Sequence, residues 1–239
     1  GGCSVFAAAS QWRTDNKSRG IFLTESELRD EICRVGESLF SRGYVHATAG
    51  NISVRLPDSE GGGYLITPTD TCLGYLKPER LARLDANGEQ ISGDKGSKTI
   101  ALHRKIYAAT HETNQVANCV IHTHSTHCVA LTLSDTQQVE LLPALTPYFV
   151  MKVGHVPVIP YHRPGDHLAA EQVATAIHEY AKRGLCVRAV MLTRLGPNVW
   201  HDSPATAMAT LEELEETARL WWMSKGQPSS LNQDAISVL

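Results

Sequence analysis

Residues 116–125 read Val-Ala-Asn-Cys-Val-Ile-His-Thr-His-Ser. The apolar run Val116 to Ile121 suits a buried strand, and it delivers the chain to His122 and His124. Side chains two apart on a strand face the same side, so two imidazoles can be presented to one ion from a hairpin or strand end. A His-x-His pair alone is often a surface coincidence. Here it ends an apolar strand, and Ser125 follows where it can cap a helix running through Val129, Leu131 and Leu133. Strand ends that lead into helices are common places for sites.

Working outward, Thr24-Glu25-Ser26-Glu27 reads as a capping box opening a helix, with Leu28, Ile32, Val35 and Leu39 at helical spacing and Gly43 as a stop. Short strands follow: residues 52–56 alternate, Gly61-Gly62-Gly63 turns, and Tyr64-Leu65-Ile66 returns. Asn87-Gly88 is a hairpin signal between Leu84 and Ile91. A helix is predicted over 97–110, a strand over 156–161, a helix over 167–183 ended by Gly184, and strands over 186–192 and 198–200 around the Gly196-Pro197 turn. Ser203-Pro204 opens a last helix carrying Leu211, Leu214, Ala218 and Trp221. The expected organisation is a flexible N-terminal segment over 1–23 (a tag remnant or trimmed leader), one mixed domain over 24–226, and a polar, loose tail over 227–239.

The 239 residues, 42% hydrophobic and 20% charged, are enough for one well-packed soluble domain. A net charge of -3 offers no basic field for nucleic acid or an anionic membrane surface, so an anionic substrate must be held by a local site. No apolar run is long enough to span a membrane. The six cysteines (Cys3, Cys33, Cys72, Cys119, Cys128 and Cys186) are scattered, which reads as reduced thiols in a cytoplasmic protein.

Three segments upstream of the histidines suit a phosphate. Ala49-Gly50-Asn51 puts a flexible residue before an amide, Thr67-Pro68-Thr69 follows a strand, and Gly96-Ser97-Lys98 lies at a helix start. Hydroxyls, free amide N–H groups and the positive end of a helix are what a phosphate dianion needs. Each alone is more often a plain turn or cap, and only their joint appearance points to a site.

In order and spacing, Ala49-Gly50-Asn51-Ile52-Ser53, Thr67-Pro68-Thr69, Gly93-Asp94-Lys95-Gly96-Ser97-Lys98 and His122-Thr123-His124-Ser125 resemble the class II aldolase/adducin family. The likeness runs from about Leu28 to Trp222. Thr146-Pro147-Tyr148, Tyr161-His162-Arg163-Pro164-Gly165-Asp166 and residues 211–218 look most like its branch of 3-oxo-tetronate 4-phosphate decarboxylases. The resemblance implies a three-layer α/β/α sandwich around a mainly antiparallel sheet, and a homotetramer with sites between subunits. It also implies a divalent metal, usually Zn2+, with Mn2+ or Co2+ as alternatives. By position His122 and His124 would hold the metal, Asn51, Thr69, Ser97 and Lys98 the substrate phosphate, and Tyr148 would reach the reacting centre from a subunit boundary. The implied activity is that of a lyase on a phosphorylated keto sugar acid, in which the ion stabilises an enediolate.

Three positions depart from the family pattern. Its acid/base glutamate is Thr99 here, its third metal histidine is Leu195, and the glycine after Thr-Pro-Thr is Asp70. A hydroxyl cannot titrate near neutrality, and leucine binds no metal. In a rebuilt site, His162 would supply a third imidazole and Asp70 the missing carboxylate. The plainer reading makes His162 a hydrogen-bonded residue beside a turn and Asp70 a turn residue. His155 and His201 are weaker candidates, and His103 and His127 read as packing and hydrogen-bonding residues. Beside the altered lyase stand two alternatives: a catalytically inactive binding or structural module on the same scaffold, and a sugar-phosphate aldolase or epimerase.

Overall fold

The structure, a computed structural model, describes residues 22–134 and 137–239. All but Phe22 and Leu23 of the segment expected over 1–23 lies outside the described residues. Helix α1 (Glu25–Ser41) starts at a closed capping box: Glu27 N–H donates to Thr24 Oγ1 at 3.2 Å, and Thr24 N–H donates to the Glu27 carboxylate at 2.8 Å. Its Leu28, Ile32, Val35 and Leu39 form one buried stripe. Each such side chain stabilises the fold by about 1.5–3 kcal/mol.

Strands β1 (Asn51–Arg55), β2 (Tyr64–Ile66), β3 (Ala82–Leu84) and β4 (Gln90–Ser92) follow as an antiparallel meander, turned at Gly61–63 and at Asn87-Gly88. Next come α2 (Ile100–Glu112), β5 (Cys119–His122), α3 (Thr126–Ala130), α4 (Pro147–Lys152), β6 (Val158–Ile159) and α5 (His167–Lys182). Strands β7 (Ala189–Leu192) and β8 (Gly196–His201), then α6 (Pro204–Met223) and α7 (Gln233–Ser237), complete the described chain. Among the described residues the strands form one sheet in the order β4-β3-β2-β1-β5-β8-β7-β6, antiparallel except for β6 beside β7. The tail predicted to be loose carries α7, capped by Asn232, and Leu231 N–H donates to Ala144 O at 2.8 Å.

Strand alternation sorts the core into two layers. Ile52, Val54, Cys119, Ile121, Met191 and Val199 face α1 and α6, whose Ile32, Leu39, Leu211 and Leu214 fill the same cluster. Val120, Val190 and Trp200 face the other way, onto Ile106 and Tyr107 of α2 and Val173 and Ile177 of α5. Helices thus cover both faces of a mainly antiparallel sheet, the three-layer α/β/α sandwich expected.

Four elements are shorter than predicted, each for a local reason. The strand expected over 156–161 keeps only Val158–Ile159, because Pro157 and Pro160 on either side have no N–H for the ladder. Helix α2 begins at Ile100 because Ser97 N–H donates to Thr67 O (3.2 Å) across an isolated bridge between Pro68 and Gly96. The helix expected to run on to Leu133 stops at Ala130, where the Thr132 hydroxyl donates back to Val129 O at 2.8 Å. Of the strand expected over 186–192, residues 189–192 pair with β8, while Val187 makes only isolated bridges to Gly154 and His155.

Candidate metal and phosphate site

The four segments singled out in the sequence meet at one edge of the sheet. Strand β1 starts there, β2 and β5 end there, and the pairing Asn51↔His122↔Asn198 runs across β1, β5 and β8. Residues directly opposite one another point to the same face. Their neighbours Ile52, Ile121 and Val199 occupy the α1–α6 layer, so Asn51, His122 and Asn198 face α2. The loop before β1 is pressed onto the end of β5: a Cβ at Gly50, whose φ is +84°, would stand 2.9 Å from the His122 carbonyl oxygen.

On the β2 side, Ile52 N–H donates to Thr67 Oγ1 at 3.1 Å and Thr69 N–H donates to Lys95 O at 2.9 Å. These bonds place Thr67-Pro68-Thr69 beside Gly96-Ser97-Lys98, at the N-terminus of α2. Asn51 is buried, Ser97 half-buried, and Thr69 and Lys98 exposed. The candidate phosphate residues are therefore brought together, with the partial positive charge of a 13-residue helix behind them. Thr99, at the N-cap of that helix, is held by its neighbour: its Oγ1 lies 2.6 Å from Ser97 Oγ.

His122 ends β5 and His124 lies just beyond it, with ring centroids 5.2 Å apart and planes at 69°. His122 Nδ1 is 3.0 Å from Pro197 O. A carbonyl only accepts, so Nδ1 carries the proton and Nε2 presents a lone pair. Burial first, then the neighbouring His124, pushes the His122 imidazole down to about 4. The His124 imidazole is lowered by burial and by His46. Both rings are neutral, ligand-type imidazoles at neutral pH.

Sequence reasoning missed two residues here. The His46 ring lies 6.0 Å from that of His124, edge to face. It stands alone in a turn of the chain, 76 and 78 residues before the pair, and no spacing rule reaches it. Asn198 is the other, and His103, one turn into α2, takes the packing and hydrogen-bonding role expected of it. His103 Nδ1 is 2.6 Å from Ser53 Oγ, which is 2.7 Å from Tyr107 OH. His103 Nε2, Asn51 Oδ1 and both amide atoms of Asn198 are buried with no hydrogen-bond partner among the described residues.

Other candidates are placed elsewhere. His162 follows β6, three strand spacings or about 14 Å from β5, and its Nε2 lies 2.8 Å from Gln172 Oε1. That is the hydrogen-bonded role rather than a third imidazole beside His122 within this chain. Tyr148 is 61% exposed on α4, next to the buried Phe149. Asp70 is exposed in the loop after β2 with φ +52°. His155 is paired with Glu140, His201 with Asp202 and His127 with Glu215. Leu195 does lie at the site: its turn is docked between the two histidines, where any Cβ at Gly196 would collide with the Thr123 carbonyl. The Leu195 side chain packs into the α2–α5 layer instead of offering a donor.

Among the described residues, no three His, Cys, Asp or Glu side chains are closed round a common point. The donor chemistry nevertheless fits a divalent ion. Two neutral imidazoles sit side by side, one with its tautomer fixed by Pro197 O, and unpartnered amide atoms lie in register with it.

The family model described as "Class II Aldolase and Adducin N-terminal domain" matches residues 30–222. The chain belongs to the class II aldolase and adducin family. The class II aldolases of this family depend on a divalent metal. The chain is 54% identical over 214 residues to a 3-oxo-tetronate 4-phosphate decarboxylase of Cupriavidus necator, covering 89% of this chain and 92% of the relative. It is 40% identical over 205 residues to a protein of the same name from Escherichia coli K12, covering 85% and 90%. The crystal structure of YgbL from Escherichia coli superposes with a TM-score of 0.80 at 38% identity, covering 90% of this chain and 98% of that one. No helix among the described residues is long and apolar enough to cross a membrane.

Proposed function

We propose that this chain is a metal-dependent lyase that decarboxylates a 3-oxo-tetronate 4-phosphate. The observation that carries the reading is the 54% identity, over nearly the full length of both chains, to the decarboxylase of Cupriavidus necator. The reading is supported by the edge of the sheet, where Asn51, Thr69, Ser97 and Lys98 at the start of α2 are the proposed phosphate cradle and an imidazole pair lies beside them. A divalent ion, with Zn2+ first in order of fit to two imidazoles and Mn2+ or Co2+ behind it, would be held by His122 and His124 and supply Lewis acidity at the keto oxygen.

Thr99 argues for decarboxylation over aldol cleavage or epimerisation. Aldol cleavage needs a base to take a hydroxyl proton, and epimerisation through an enediolate needs one to take a C–H proton. A carboxylate β to a ketone needs none. The bond to the carboxyl carbon breaks, CO2 leaves, and the bonding pair passes through the adjacent carbon towards the keto oxygen. A proton then returns to that carbon, leaving a phosphorylated three-carbon ketone. Thr99 in place of a carboxylate removes a step this reaction does not contain. Tyr148, exposed on α4, is the proposed donor of the returning proton, reaching a neighbouring subunit's site in a homotetramer. A cytoplasmic setting suits the free thiols of Cys33, Cys72, Cys119, Cys128 and Cys186.

The test is CO2 release from 3-oxo-tetronate 4-phosphate by the metal-loaded protein. We expect turnover that falls at least about 100-fold in a His122→Ala/His124→Ala variant. Tyr148→Phe should slow it by roughly 10- to 100-fold. A metal-free tetramer with no turnover on any sugar phosphate would instead mean a binding module on a retained scaffold.

A further inference from the structure

We infer that His46 is the third imidazole of the metal site, in place of the histidine that Leu195 cannot supply. The inference rests on the metal-dependent reading above and extends it to a residue that lies outside every motif of the sequence.

Geometry carries it. A metal–nitrogen bond of about 2.0–2.1 Å puts an ion about 3.2 Å from the imidazole centroid, so two ligands at the tetrahedral angle have centroids about 5.2 Å apart. His122 and His124 are already at 5.2 Å. His46 and His124 are at 6.0 Å, less than 1 Å beyond that spacing. His46 is exposed, and its ring has no hydrogen-bond partner among the described residues, so its side chain is free to rotate; closing the site means bringing that ring towards His122 as well as His124. Four other histidines are committed elsewhere: His127 to Glu215, His155 to Glu140, His162 to Gln172 and His178 to Glu112.

The backbone that carries His46 is held in place. Ala49 N–H donates to His46 O at 2.9 Å, closing a turn in which Ala47 takes φ +47°. Left-handed alanine costs about 1–2 kcal/mol and persists only where surrounding contacts impose it. The constraint here is Gly50, packed against both Val45 and the His122 carbonyl. The same contact that seats the Asn51 loop on β5 therefore aims His46 at the pair. An ion there would take imidazoles from the α1–β1 loop and from the end of β5, leaving further positions open for the keto acid.

The test is Co2+ binding to the full chain, followed by calorimetry and by the visible absorption of the bound ion. The parent should take one Co2+ per chain with a tetrahedral-type spectrum. His46→Ala should weaken binding roughly 100-fold and change the spectrum, with thermal unfolding of the metal-free protein unaltered because the ring is exposed. Adding Leu195→His to that variant should restore affinity from the other side of the pair. His46→Ala binding within twofold of the parent, with an unchanged spectrum, overturns the inference and leaves the two-histidine site standing. A parent that takes up no Co2+, Zn2+ or Mn2+ overturns the metal-dependent reading and this inference together.

Discussion

Asp70 sits at a position where both charge and backbone are unusual. Its φ of +52° lies in the left-handed region, and its carboxylate is carried on the loop next to Thr69, where the substrate phosphate is proposed to bind. At an exposed site a like charge about 5 Å away opposes a phosphate by about 1 kcal/mol, roughly fivefold in affinity. Asp70→Gly should therefore lower KM for the phosphorylated substrate about fivefold with kcat little changed, and leave the urea midpoint equal or higher. Asp70→Ala should lower KM similarly but destabilise by about 1 kcal/mol, because alanine tolerates the left-handed region less well than aspartate. Steady-state kinetics and urea unfolding of the two variants separate charge from conformation. Thr99 and Leu195 stand out in the sequence because a known pattern supplies the comparison. His46 does not, since its role depends on a fold that returns the chain to it long after the turn is written.

Between elements, the contact that organises the site is the packing of the β7–β8 turn onto the end of β5. Gly196, at φ +142°, is the only residue type that can lie against the Thr123 carbonyl. From that contact Pro197 O reaches His122 Nδ1 and sets its tautomer. Gly196→Ala should cost about 3 kcal/mol or more in chemical denaturation and weaken metal binding, with far-ultraviolet circular dichroism preserved. The capping box at Thr24, the hairpin at Asn87-Gly88 and the Ser203-Pro204 helix start were legible because their chemistry is local. The ends of α2, α3 and β6 were not. Ser97 is taken by Thr67, Thr132 folds back on Val129, and two prolines leave β6 only two residues, so partners distant in sequence or competing side chains set these limits.

At the sheet edge the molecule buries the His103 imidazole fully and the His122 imidazole in large part, and this makes its stability depend on pH. Burial holds His103 down to about 3 and His122 to about 4, against 6.5 when exposed. Below 6.5 the unfolded chain takes up protons that the folded chain refuses, so stability is full above that value and is lost as pH falls towards 4 and then 3. By pH 5 each imidazole costs about 2 kcal/mol in the metal-free protein. Urea unfolding between pH 7 and 5 should show this loss, and His103→Asn should remove about half of it. The sandwich was readable from strand and helix periodicity together with the order of the site segments, whereas the strand order was not. That order has its own consequence. The sheet is two halves, β1–β4 and β5–β8, sewn together along the single seam between β1 and β5. The proposed phosphate cradle belongs chiefly to the first half and the histidine pair to the second. A substrate with its phosphate in one and its keto acid at the other would act as a clasp across the seam, slowing hydrogen exchange at β1 and β5 more than inorganic phosphate, which can grip only one side.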